Sequence, residues 1–200
     1  SSVEGGLTKR ITNTPEQERS VTFSPDGKAL LYSSERGNSW KIYETRMARA
    51  EEPYFYASTT LKETPLIVNE KENYQPVYSP DGKEVAFIED RMTLKILNIA
   101  SKQTRTILTD RELFSMGDND QYFQWSPDGK WMLFDYSIPG IAAGEIGIVP
   151  TDGKGKVVSS PRVVTADQTK AEIEQGTEFP YPVTAPNGAT VIAFKKAVLR

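Results

Sequence analysis

Three aspartates recur in one phrase, Ser-Pro-Asp-Gly-Lys, which is written at residues 24–28, 79–83 and 126–130 and places Asp26, Asp81 and Asp128 at equivalent positions. Three carboxylates on related units could converge to hold a cation or to divide general acid and base work between them. The same phrases carry Ser24, Ser79 and Ser126 beside Lys28, Lys83 and Lys130, so a serine nucleophile with a lysine base is a second chemistry to weigh. Against both stands the turn chemistry of the phrase itself. Pro presets φ near −65°, Asp bonds the backbone two residues on, and Gly takes the positive φ that reverses the chain. The lysines then open the next strand in solvent as ordinary ammonium groups. The phrase is read as a hairpin turn.

Other chemistry is removed by composition. The 200 residues contain no histidine and no cysteine, which excludes disulfides, thiol nucleophiles, Ser-His-Asp arrangements and the commonest zinc ligands. Residues 117–120, Gly-Asp-Asn-Asp, gather hard oxygen ligands at Asp118, Asn119 and Asp120. They lack the following Gly and distal Glu of a calcium loop and are read as a solvated loop. Gly-Lys-Gly-Lys at 153–156 lacks the strand-then-helix setting of a phosphate loop. No metal, no cofactor and no catalytic residue is therefore expected, and the chain is read as noncatalytic.

The net charge is −3 and the sequence pI about 5.2. Such a balance offers no attraction to a phosphate backbone, so nucleic acid is not expected as a partner. Hydrophobic residues at 38% and charged residues at 26% fit a folded globular chain. No apolar run reaches the ~18 residues of a membrane span, and membrane insertion is not expected. The polar start, Ser-Ser-Val-Glu-Gly-Gly, is read as a trimmed or excised boundary, with which any export signal would have been lost.

Each phrase lies between two apolar stretches of strand length, such as Val21-Thr22-Phe23 and Ala29-Leu30-Leu31-Tyr32 in the first copy. A polar break and a third alternating run follow: 40–44, 93–99 and 144–149. A fourth run closes the first two units, at 64–68 and 103–109. Four antiparallel strands per ~50 residues describe a propeller blade. The expected fold is all-β, a β-propeller or partial propeller of about four blades, each a four-stranded antiparallel sheet. Residues 7–12 read as the outermost strand of a further blade, and only 168–175 and part of 47–52 have helical promise. A weak fourth turn, Ala185-Pro186-Asn187-Gly188, makes residues 159–200 a degenerate or partial fourth blade after blades in 1–158.

The stretches FSPDGKALLYSSERGNSWKIYE, YSPDGKEVAFIEDRMTLKILNIASKQTRTIL and QYFQWSPDGKWMLFDYSIPG resemble TolB-type propeller blades. More narrowly they are similar to the N-terminal propeller of tricorn-like serine peptidases, with EEPYFYAS and ELFSMGDNDQYFQWSPDGKW carrying the narrower likeness. The resemblance covers about 7–158. It implies a module that recognises or gates peptide or protein substrates for a peptidase, whose catalytic modules this chain lacks. The second reading is a stand-alone TolB-like interaction scaffold of the cell envelope. A periplasmic location follows, with the cytoplasm as alternative.

In such a fold the turns of the repeated phrase face away from the usual binding surface. Ligand contacts are therefore expected on the opposite rim, from Arg36, Asn38, Arg91, Met116, Asp118, Asp120 and Ile138. Tyr54, Phe55 and Tyr56 lie in an insertion between the third and fourth strands of the first blade. They serve either to anchor a partner or to cover the edge of their own blade. Expected partners are a peptide or protein, further propeller blades or a peptidase module, and a second copy through an open blade edge.

Overall fold

The computed structural model describes residues 8–52, 54–109, 122–137, 144–155, 176–184 and 190–198. Among the described residues, apart from one 3₁₀ turn at Phe55–Ala57, the regular elements are all strands. The first blade is β1 (Glu18–Phe23), β2 (Ala29–Arg36), β3 (Ser39–Met47) and β4 (Leu61–Ile67), paired antiparallel in chain order. The second is β5 (Asn73–Tyr78), β6 (Glu84–Glu89), β7 (Thr93–Asn98) and β8 (Thr104–Leu108), in the same order. A third sheet contains β9 (Phe123–Trp125), β10 (Trp131–Ser137) and β11 (Gly144–Pro150). The expected strands and their order are all present in these three sheets.

The chain divides into two compact units, Ser1–Val157 and Val158–Arg200. The second unit contains one hairpin, β12 (Gly176–Thr184) with β13 (Thr190–Val198), running without a register break from Gly176↔Val198 to Thr184↔Thr190. Residues 8–12, expected as an outer strand, carry no strand. The helical promise at 47–52 is overridden: Met47 ends β3, and the chain enters the 3₁₀ insertion instead. Residues 168–175 and the weak turn at 185–188 lie outside the described residues.

The repeated phrase builds the same turn three times. In each, the Ser amide donates across the hairpin at 2.9 Å, to Ala29 O, Glu84 O and Trp131 O respectively. The Gly amide returns to the Ser carbonyl, also at 2.9 Å, and Gly27, Gly82 and Gly129 have φ of 69°, 70° and 70°. Successive turns also touch. A Cβ on Gly82 would meet Pro25 at 3.7 Å, and one on Gly129 would meet Pro80 at the same distance.

Blades pack face to face, and alternation decides which residues meet. Leu31 and Ile42 of the first blade close on Val85 and Phe87 of the second. Ile88, Leu94 and Ile96, on the second blade's other face, close on Met132, Phe134 and Val149 of the third. Each such side chain contributes ~1.5–3 kcal/mol through burial. The aromatics just before the second and third repeated phrases reach the preceding blade. Tyr78 donates its hydroxyl to Glu44, and Trp125 donates Nε1 to Val77 O at 3.3 Å. Phe23, just before the first phrase, meets Phe55 of the insertion edge-on, with ring centroids 6.1 Å apart.

Candidate functional site

The three aspartates do not converge. Each carboxylate accepts its own serine hydroxyl at 2.6–2.7 Å and the amide of its own lysine at 3.0–3.1 Å. The serine bond first, then the lysine amide, holds Asp26, Asp81 and Asp128 below the usual carboxylate range. A cleft of about 290 Å³ lies beside the second and third turns, lined by Asp81, Glu84 and Asp128 among others. Glu84 is held by a bidentate Arg105 at 2.5 and 2.7 Å. Acid–base catalysis by two carboxylates needs one pKa raised and one low; here the hydrogen bonds of their own turns lower both aspartates.

On the opposite rim, Gly37 and Asn38 form a two-residue hairpin loop with φ of 61° and 59°. Both residues suit that left-handed geometry, so Asn38 has a backbone reason to be there. Arg36 lies on the outer face of the first blade. It makes two bonds to Glu63, at 2.7 and 3.0 Å, and its guanidinium sits 3.7 Å from the Tyr43 ring centroid. The Glu63 contact raises the Arg36 pKa further. Glu63 also accepts from Tyr32, whose phenol burial, then Glu63, pushes upward. Met116, Asp118, Asp120 and Ile138 lie outside the described residues.

The insertion divides its aromatics between two tasks. Phe55 is buried against Phe23, covering the outer face of its own blade. Tyr54 and Tyr56 stay exposed and stack on each other, with centroids 5.4 Å apart. Lys9 donates to Ser58 and ties the N-terminal segment to the same place.

Around Arg91 the rim is firmly held. Arg91 stands in the β6–β7 loop with φ of 67°, its Nε 3.7 Å from Glu72 and its guanidinium 5.7 Å from the Tyr74 ring centroid. Lys71 pairs with Asp90 at 2.5 Å, and the Glu72 amide donates to the same carboxylate at 3.1 Å. Burial pushes Asp90 up, but Lys71 and that amide outweigh it and hold the carboxyl below its ordinary value. Lys41 reaches from the first blade to donate to Asn69 O and Lys71 O, at 2.5 and 2.9 Å. The connector between blades is thereby fixed to both.

The residue that sequence reasoning missed is Arg19. Its guanidinium lies 3.9 Å from the Trp40 ring centroid and 5.1 Å from that of Tyr74, and the two rings are 5.8 Å apart. Trp40 and Tyr74 are buried, while Arg19 is exposed above them. Beside it opens a cleft of about 220 Å³, formed by the first strands of the three blades: Ser20–Thr22, Gln75–Val77, Tyr122 and Phe123. Both β1 and β5 shift register there, between Arg19 and Thr22 and between Tyr74 and Val77. Ser20 and Gln75 take φ of 56° and 51° in those bulges. A bulge leaves a residue unpaired and re-aims its neighbours. The only signal in the sequence was that Ser20 and Gln75 precede their turns by the same spacing.

The model of the family described as TolB beta propeller domain matches residues 2–161. The chain belongs to that family. Among solved structures, TolB from Acinetobacter baumannii is similar with a TM-score of 0.57 at 22% identity, over 74% of this chain and 33% of that one; at that identity the likeness speaks for the fold alone. A second family model, bacterial type II and III secretion system protein (secretin), matches residues 148–200. The fimbrial assembly protein PilQ of Pseudomonas aeruginosa is 40% identical over 55 residues, 28% of this chain and 8% of PilQ. The putative assembly protein ORF430 of Pseudomonas phage Pf3 is 48% identical over 48 residues, 24% of this chain and 11% of that protein. The chain thus spans a small part of the length of the curated relatives it matches. Among the described residues no helix is long and apolar enough to cross a membrane.

Proposed function

We propose that this TolB-like propeller is a noncatalytic scaffold that recognises a peptide or protein segment on the rim opposite the repeated turns. The observation that carries the reading is the fixed cluster of Arg19, Trp40, Tyr74 and Arg91 beside the cleft between the first strands. Concave sites with a few preplaced polar groups on rigid strands are where ligands bind most economically. Asn38 and Arg91 border this place, and Met116, Asp118, Asp120 and Ile138 are assigned to the same rim. Tyr54 and Tyr56 form a second, separate contact surface.

Its location is assigned to the cell envelope, because the secretin model and the PilQ likeness accompany the TolB-type blades. The same matches favour reading 159–200 as a secretin-like segment over a degenerate fourth blade, with blades confined to 1–158. Gating for a tricorn-like peptidase rests on the interblade segments of the first two blades and is the second reading.

A displayed library of random peptides, panned on the full chain, tests the scaffold. Bound sequences should be retained by the wild type, weakened by Arg91→Ala and unaffected by Lys83→Ala on the turn face. Mass spectrometry of the bound peptides should show them uncleaved. Retention insensitive to rim substitutions, or cleavage, would overturn the reading.

A further inference from the structure

We propose that Arg19 is the anchor for a carboxylate on the recognised peptide, with an adjacent apolar residue entering the cleft beside it. The proposal rests on the rim reading above and names its ligand chemistry.

The Arg19 guanidinium carbon lies 3.9 Å from the Trp40 ring centroid and 5.1 Å from that of Tyr74. A guanidinium has five N–H donors in a planar fork suited to two carboxylate oxygens, and contact with rings does not use up those donors. Among the described residues, nothing accepts a hydrogen bond from Arg19 or forms an ion pair with it. Of the nearby acids, Glu72 pairs with Arg91, Asp90 with Lys71, and Glu18 accepts from the hydroxyls of Thr12 and Thr14, while Glu35, the cross-strand partner of Trp40, forms no ion pair with Arg19. An exposed arginine held on two buried rings has already lost much of its rotamer freedom, so less is left to lose when an anion docks.

The neighbouring cleft completes the match. Val21, Val77 and Phe123 give it apolar wall, and the bulges at Ser20 and Gln75 interrupt the strand ladders at its mouth. Unpaired main-chain groups at a bulge suit an extended peptide backbone. Arg91 lies across the Tyr74 ring, 5.7 Å from its centroid, and pairs there with Glu72.

The test measures fluorescence anisotropy of labelled hexapeptides with the full chain. The first is amidated with a central Glu-Leu pair; the second carries Gln-Leu instead; the third carries Gln-Leu and ends in a free leucine carboxylate. At least one acidic peptide should bind ~10-fold more tightly than the amidated Gln-Leu peptide, the scale of one charged hydrogen-bonded pair. Whichever exceeds it identifies a side-chain or terminal carboxylate as the source. Arg19→Gln should abolish the preference, so that in this variant the acidic peptides bind no more tightly than the amidated Gln-Leu peptide, while the far-UV spectrum stays that of the folded wild type. Arg19→Lys should lose most of it, since a point charge cannot reproduce the fork. Equal binding of all peptides, or a preference that survives Arg19→Gln, overturns the inference while leaving rim recognition standing. No peptide binding at all overturns both the inference and the rim reading.

Discussion

At Asp81 the carboxylate holds two bonds, to the Ser79 hydroxyl at 2.7 Å and the Lys83 amide at 3.1 Å, while the side chain remains more than half exposed. Removing it in Asp81→Ala should cost about 0.5–1 kcal/mol, at the low end for hydrogen bonds because water replaces the lost partner. Urea denaturation would show this as a lower midpoint at unchanged slope. All three turn aspartates have folded pKa values below their unfolded values. Their contribution is therefore present above the unfolded pKa of about 3.9 and is lost as pH falls through the folded values. Glu63 behaves in the same direction, held low first by Arg36, with burial opposing it. Thermal stability should stay flat on this account down to about pH 4 and drop below it. The triple variant Asp26→Asn, Asp81→Asn, Asp128→Asn should show a shallower acid limb; an unchanged limb would mean that the turns do not couple to protonation.

Elements are held in their places by contacts that the turns do not specify. In the third sheet Phe134 lies over Gly147, its cross-strand partner, and a Cβ on that glycine would stand 2.4 Å from the Phe134 Cζ. Gly147→Ala should therefore destabilise by about 1–3 kcal/mol, the usual cost of overfilling a packed site. Trp125→Ala removes a larger part of the interface with the second blade, including the bond to Val77 O, and should cost about 3–5 kcal/mol. Both effects would be read from denaturant curves. The strands themselves were legible from alternation and from the repeated phrase, because each is decided within a few residues. Residues 8–12 had a strand-like pattern, but alternation alone does not supply a ladder partner, and these residues carry no strand.

Across the propeller unit, the two end faces of the blade array differ in polarity. The outer face of the first blade carries Tyr32, Tyr43, Arg36 and Glu63 in mutual contact, with Phe55 closing one side. On the far face of the third blade Trp131, Leu133, Ile146 and Ile148 are 43%, 42%, 79% and 55% exposed. The first face carries an ion pair and a hydrogen-bonded phenol beside an exposed Phe23, whereas the second exposes four apolar side chains. Exposed apolar surface of this kind favours association. Sedimentation velocity of the full chain should show concentration-dependent association that Ile146→Lys with Ile148→Lys weakens. A monomer at every concentration would count against it.

What the sequence alone determined was local: three identical turns, the strand alternation around them and the chemistry ruled out by the missing histidine and cysteine. These follow from φ preferences, turn hydrogen bonds and side-chain type, each of which acts over a few residues. Only the tertiary structure decided the fate of the arginines. Arg36, expected as a ligand contact, pairs with Glu63 and lies over Tyr43, while Arg19, which nothing nearby in sequence marks, is seated on Trp40 and Tyr74. Those partners come from a different strand and a different blade. Their meeting depends on face-to-face packing of the blades and on the bulges in β1 and β5, which no short window of sequence contains.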